Sequence, residues 1–174
     1  REYPEFIVKQ VKPTGDRCWR RTVPSPDPIA NVESEAIKRM VDVGIITIAS
    51  GGGGIPVMAG EDGRYQGIEA VIDKDLAGER LAEVVGADVF LILTDVEQAK
   101  LNFGDSNEEG IDVMTLSEAK QYSEDGHFLA GSMGPKVAAC IRFLEWGGER
   151  AVITSLDKAV DALEGKAGTS IVSD

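Results

Sequence analysis

Histidine is nearly absent from this chain: His127 is the only one in 174 residues. A His-based metal centre or a Ser-His-Asp triad therefore lacks its members. Cysteine is scarce too. Cys18 and Cys140 stand far apart, with no paired spacing and no histidine neighbours. That excludes a zinc ribbon or a disulfide framework and fits a reducing, cytoplasmic compartment. No run approaches ~18 apolar residues, so no membrane span is expected. Positive charge is in short supply, with a formal net charge of −12. A nucleic-acid binder needs a basic surface to neutralise phosphates, so nucleic acid is not an expected partner. Any small anion must be held locally, by a few cations and backbone N–H groups acting against the global field. Each lysine beside a glycine turn gains interest for that reason. The chain opens at Arg1 rather than methionine, with no signal-peptide pattern, and an upstream piece is expected.

What is present is ordinary for a folded domain: 43% hydrophobic and 28% charged residues, in a length that can bury a core. Pro24, Pro26 and Pro28 forbid a helix at that point and favour an extended connector. Asp27 can N-cap a helix with Pro28 in its first position, carrying Ile29, Val32, Ala36, Ile37, Met40 and Val41 to a stop at Gly44. Ile45-Ile46-Thr47-Ile48-Ala49 is a β-branched run without alternation, the pattern of a strand buried on both faces. A helix is expected over roughly 75–85, ending at Gly86, then a buried strand at Val89–Thr94. Thr115 and Glu118 form a capping-box pattern. Ser132 opens a helix toward Trp146, and Ala151–Thr154 is a strand. Ser155 caps a helix to Leu163, and Ser170–Val172 is a last short strand. Strands alternating with helices imply a mostly parallel sheet covered on both faces, with ligands beyond the carboxyl ends of its strands. Residues 1–27 read as the remnant of a smaller, protruding subdomain and its connector, and 28–174 as the α/β domain.

Several of these junctions carry residues that chemistry would use. Gly51-Gly52-Gly53-Gly54 lets backbone approach a phosphate and present N–H donors, or serves as a flexible turn. It is not a Walker A loop, since no Gly-Lys-Ser/Thr follows, and Ile55-Pro56 breaks the Rossmann spacing. Lys74, between Asp73 and Asp75, is either a cation aimed at a phosphoryl group or part of a mixed-charge surface turn. Lys136, in the first turn of its helix, opposes the helix dipole unless an anion binds there. Thr94-Asp95-Val96 with Leu101-Asn102-Phe103-Gly104 suits a purine slot or a plain strand-end loop. Arg20-Arg21 is an anion clamp on a lid or a solvated pair, and His127 reads as a surface or helix-end residue.

Taken together these residues resemble the carbamate kinases of the amino-acid kinase superfamily. The similarity runs through Arg20-Arg21 with Val23-Pro24-Ser25-Pro26, then Ala49-Ser50-Gly51-Gly52-Gly53-Gly54-Ile55-Pro56-Val57. It continues in Gly67–Ala77, Leu93–Val96, Leu101–Gly104 and Gly131-Ser132-Met133-Gly134-Pro135-Lys136-Val137. The resemblance implies a three-layer αβα sandwich with a mostly parallel central sheet, its N-terminal part absent. It implies reversible phosphoryl transfer between ATP and carbamate, giving ADP and carbamoyl phosphate in arginine breakdown. Lys74 and Lys136 would then stabilise the phosphoryl in flight, and Asp73 would orient the lysine or the metal-bound nucleotide. Gly51, Gly52, Gly53 and Gly54 would contact substrate or phosphate. Thr94, Asp95, Val96, Asn102, Phe103 and Met133 would hold the nucleotide. Mg²⁺ bridging phosphate oxygens and a homodimer are implied in the same way.

The front departs from that pattern. The family's first glycine-rich turn with its asparagine is missing, as is the Lys-Pro-Ile-Gly segment of its protruding subdomain. Lys12-Pro13-Thr14-Gly15 is similar but stands too close to Arg20-Arg21, so Lys12 receives no role. The similarity covers the C-terminal half of such a protein or slightly more. A nucleotide-binding fragment without activity, or another acyl-phosphate-forming kinase of the superfamily, are the alternatives.

Overall fold

The computed structural model describes residues 5–10, 18–128 and 132–174. Lys12–Gly15 and Gly131 lie outside the described residues. A four-stranded sheet carries the core, in the order β5 (Val89–Thr94), β9 (Arg150–Ser155), β10 (Thr169–Val172), β8 (Val113–Thr115). β5 runs parallel to β9, and β10 parallel to β8, while β10 is antiparallel to β9. The expected mixed α/β class with a mostly parallel sheet therefore holds.

Helices α2 (Lys74–Val85), α3 (Leu116–Glu124) and α4 (Met133–Trp146) pack against this sheet through one continuous cluster. Phe90 stands opposite Ala151, and Ile92 opposite Ile153, so alternate residues of β5 and β9 face the same helices. Phe143 of α4 lies at the centre, fully buried, its ring 5.5 Å from that of Phe90. The helix boundaries follow local chemistry. Asp73 caps α2 by accepting from the N–H groups of Asp75 and Leu76. Gly86 ends α2 in a left-handed conformation, and Gly147 does the same for α4. Thr115 and Glu118 make the reciprocal capping box foreseen for α3. At Ser155 the chain departs from expectation: its hydroxyl donates to Asp157, and a 3₁₀ turn intervenes before α5 (Ala159–Leu163).

The preceding region is thinner. β1 (Val8–Gln10) and β2 (Trp19–Arg21) form one antiparallel pair, β3 (Val57–Ala59) and β4 (Tyr65–Gly67) another. A third small pair, β6 (Lys100–Leu101) with β7 (Glu109–Gly110), follows β5. Helix α1 (Ser34–Asp42) rests on α2. It begins well after the Asp27 start that the sequence suggests, because Asp27 is otherwise engaged. Arg142 donates to its carboxylate at 2.7 Å, and Arg80 donates to the Pro28 carbonyl at 3.2 Å. Two arginines from α4 and α2 thus fasten the connector in place of a helix. Ile45–Ala49, expected as a buried strand, is not a strand, and Ile46 and Ile48 are 96% and 97% exposed. A β-branched run forms a strand only where a ladder partner accepts it, and none stands among the described residues. No helix among them is long and apolar enough to cross a membrane.

Candidate active site

Lys74 is the first residue of α2 and Lys136 lies in the first turn of α4. In sequence they are far apart, but the α2–α4 crossing brings both to one carboxylate. Asp75 accepts from Lys74 through Oδ1 at 2.6 Å and from Lys136 through Oδ2 at 2.8 Å. Its side chain is 7% exposed, that of Lys136 13%, and that of Lys74 52%. Burial alone would push the Asp75 carboxyl up. The hydrogen bonds from Lys136 and Lys74 outweigh it and hold the group below its ordinary range. Burial likewise works against the charge on Lys74, but its hydrogen bond to Asp75 raises it above its usual value. The result is one carboxylate bracketed by two lysine side chains at the converging N-termini of two helices, where dipoles favour a further anion.

Those two helix starts differ. Asp73 satisfies the first donors of α2, whereas Ser132 makes no side-chain cap on α4. The carboxylate that meets both lysines is that of Asp75, the other neighbour of Lys74, while the Asp73 side chain accepts from the cap N–H groups of α2. Behind Lys136, Cys140 is fully buried, and that burial pushes its thiol well above the usual range. It is a packing residue rather than a nucleophile.

The glycine run reaches the same place through backbone contact. Gly53 is buried at φ +123, and a Cβ there would sit 2.2 Å from the Ile72 carbonyl oxygen, one residue ahead of Asp73. Only glycine allows that approach. Gly51 and Gly54 also have positive φ, and Gly51, Gly52 and Gly54 are exposed. At the end of β5, the Thr94 hydroxyl donates to Asp95, and Val96 and Phe103 are exposed. Asn102 adopts φ +51, its N–H pointing at His127 Nδ1 over 3.4 Å. His127 also sets its ring edge-on to Tyr122, so it helps shape the Asn102 turn. Met133 is partly buried against the core. Among the described residues no hydrogen bond or ion pair joins the Thr94–Phe103 stretch to the lysine pair. Arg21 donates to Glu69 at 2.5 Å and stacks over Phe6, while Arg20 is exposed.

A family model described as the amino acid kinase family matches residues 6–155. The chain belongs to that family. It is 60% identical over 162 residues to a carbamate kinase of Pyrococcus furiosus, a match covering 93% of this chain and 51% of that protein. It is 52% identical to the carbamate kinase of Trichomonas vaginalis, over 90% of this chain and 50% of that one. Among solved structures, the carbamate kinase of Giardia lamblia bound to AMP-PNP superposes with a TM-score of 0.89 at 44% identity. That match covers 99% of this chain and 54% of the Giardia chain. The chain thus spans about half the length of the relatives it matches.

In this member of the amino acid kinase family, the sequence singles out Lys74 and Lys136 and gives the orienting part to Asp73, whereas the structure brings both lysines onto Asp75. Two aspartates flank Lys74, and only the packing of α4 on α2 decides which of them meets Lys136. One signal was available: Asp73 sits where an N-cap belongs, which leaves Asp75 free for other contacts.

Proposed function

We propose that this chain carries the phosphoryl-handling half of a carbamate kinase, transferring the γ-phosphoryl group of ATP reversibly to carbamate to give ADP and carbamoyl phosphate. The observation that carries the reading is the Lys74–Asp75–Lys136 arrangement at two helix N-termini. A phosphoryl group in transfer is loosely bonded to both partners, with its charge spread over peripheral oxygens. Positioning and neutralisation, rather than a covalent nucleophile, lower the barrier. Lys136, nearly buried, keeps its ammonium in a low-dielectric setting where it acts strongly on such oxygens. Lys74, half-exposed, has room to follow the group between donor and acceptor. Asp75 is a positioning residue, fixing both ammonium groups so that neither must reorganise during transfer.

In the same reading, Gly51–Gly54 contact substrate or phosphate, Asp73 holds the start of α2, and Thr94, Asp95, Val96, Asn102, Phe103 and Met133 border the nucleoside. Mg²⁺ would enter with the nucleotide, held by phosphate oxygens and neutralising their charge. The reading extends to a cytoplasmic homodimer working at the ATP-forming end of arginine breakdown, with small-molecule substrates as its partners.

The test uses the chain completed by the half of the Pyrococcus furiosus relative that it does not cover, given ADP, Mg²⁺ and carbamoyl phosphate. ATP should form. Lys136→Ala and Lys74→Ala should each lower kcat by about two to three orders of magnitude, with the fold retained by circular dichroism and the melting point lowered more by Lys136→Ala, whose partner Asp75 is buried. Asp75→Asn should fall between these and the parent. A folded, completed chain that makes no ATP sinks the kinase reading, and one that binds ATP without turnover favours a nucleotide-binding module. Parental turnover in a lysine variant removes that residue from the site.

A further inference from the structure

Ser50 and Asn102 are the non-glycine residues with positive φ among those described, and Ser50 stands at +60. The Gly51 N–H donates across it to the Ala49 carbonyl at 2.7 Å, and its own carbonyl accepts from the Gly53 N–H at 3.0 Å. The first bond closes a three-residue turn in its rare, strained form, and the second closes a four-residue turn directly after it. Both pivot on Ser50, whose Cβ disfavours this conformation. Something must hold it there. The Ser50 hydroxyl accepts from Asn31 Nδ2 at 2.9 Å. Asn31 is fixed in turn: its carbonyl accepts from the Ser34 N–H at the start of α1, and Arg80 of α2 holds the Pro28 carbonyl just upstream. Asn31 Oδ1 is buried and has no partner among the described residues. A buried amide oxygen without a donor is costly, and so is the backbone of Ser50. Two unfavourable features thus meet at one contact, immediately before the glycine run.

We infer that Asn31 is a positioning residue for the glycine run. By holding Ser50 in the left-handed conformation it sets the turns that press Gly53 against Ile72 and leave Gly51, Gly52 and Gly54 open to a phosphate-bearing ligand. Ile72 immediately precedes the Asp73 cap and Lys74, so the same turns register the run on the lysine end of α2. Without the Asn31 donor, Ser50 would relax toward negative φ. Four glycines have little conformational preference of their own and would lose their shape with it. Glycine in place of Ser50 would take the turn unaided, whereas serine takes it only while tethered. A plain packing role for Asn31 accounts for neither the donor aimed at the strained residue nor the oxygen left unpartnered. The inference rests on the reading that Gly51–Gly54 contact substrate or phosphate, and adds to it the residue that shapes them.

The experiment titrates the isotope-labelled chain with ATP and Mg²⁺ and follows the amide resonances of Gly51, Gly52 and Gly54. In the parent these resonances should shift as ligand is added. Asn31→Ala should raise Kd at least about tenfold, and the amides of Gly51 and Gly53, having lost their turn acceptors, should exchange faster. Adding Ser50→Gly to Asn31→Ala should bring Kd back to within about threefold of the parent. Adding Ser50→Ala, which removes the same hydroxyl but keeps the Cβ, should not. An unchanged Kd in Asn31→Ala, or equal rescue by Ser50→Gly and Ser50→Ala, overturns the inference. Where Asn31→Ala alone fails to fold, the two double variants still decide between a tether on the backbone and a simple hydrogen-bond pair. A parent whose glycine amides ignore the nucleotide sinks the phosphate-contact reading and the positioning role with it. A parent that responds, with Asn31→Ala matching it, leaves that reading standing and removes Asn31 alone.

Discussion

Before Lys74 the chain buries one hydrophobic residue among those described, Ile37; from Ala77 to Ile171 it buries a nearly continuous set. The two regions do not differ in the apolar residues they contain. Ile29, Ile45, Ile46, Ile48 and Ile55 of the first are as suited to a core as Ile92, Ile153 and Ile171 of the second. They differ in partners. From Lys74 on, strands β5, β9, β10 and β8 pair with one another and three helices close over them. Before it, hairpins and α1 hold positions without closing over a core of their own. The lesson is that hydrophobic pattern states which residues need burial, and topology alone decides whether this stretch of chain supplies it. The Lys74–Asp75–Lys136 cluster sits where the finished region begins, at the N-termini of α2 and α4.

The contrast is broken most severely by removing one residue from the finished side. Phe143 is fully buried and lies 5.5 Å from Phe90 and 6.0 Å from Trp146, ring to ring. Phe143→Ala should cost about 3–5 kcal/mol, through lost transfer energy and the cavity left behind. Ile46→Ala, an equally apolar truncation on the unfinished side, should change the stability of the chain alone by less than about 0.5 kcal/mol. Urea denaturation of the two variants measures both. Similar costs would mean that Ile46 is covered in solution and the contrast is false.

A smaller effect probes the seam between the regions. Glu79 lies on α2, which packs on α1 and on α4, and neither of its oxygens accepts a hydrogen bond. Arg80 Nε is 3.8 Å away, too far to donate, and its guanidinium serves Glu83 and Pro28 instead. Burial, reinforced by the neighbouring Glu83 carboxylate and only partly offset by Arg80 and Arg142, pushes the Glu79 carboxyl up to about 8. Between about 4.5 and 8 the folded protein therefore keeps a proton that the unfolded chain has lost, so stability falls as pH rises. The slope approaches about 1.4 kcal/mol per pH unit, or about 2–3 kcal/mol between pH 5 and 7, and levels off above 8. Glu79→Gln should remove that fall, its stability declining less than the parent's across the window. Parallel curves for the two proteins would show that Glu79 is solvated or ion-paired and that the seam is looser than it looks.

How much of this was legible in the sequence follows the same division. The capping box at Thr115 and Glu118, the stop at Gly86 and the strand Val89–Thr94 were all readable, because each depends on residues within a few positions. Lys74, Lys136 and the glycine run were readable as candidates, since their residue types are unusual for their local settings. That Asp75, rather than Asp73, meets both lysines was not, because the contact depends on Lys136, 61 positions away. The late start of α1 was hidden for a similar reason: Arg142, on a distant helix, takes the Asp27 carboxylate that would have capped it. Ile45–Ala49 was misread in the opposite direction, with sequence supplying a strand that the described residues do not pair.

Charge pairs give the finest version of the comparison. Lys38 and Asp42 form an i,i+4 pair on α1 at 2.8 Å, both side chains about half exposed. In geometry the pair matches Lys136–Asp75, also at 2.8 Å, but water competes for both Lys38 and Asp42 and salt screens them. Lys38→Ala should therefore cost only about 0.3–0.5 kcal/mol, and the cost should shrink further in 1 M NaCl. Thermal melting at low and high salt measures it. A loss above about 1 kcal/mol that persists in salt would mean that α1 is more enclosed than its exposure indicates. In that case the region before Lys74 would have a covered face in solution, and the division between the two regions would fall earlier in the chain than Lys74.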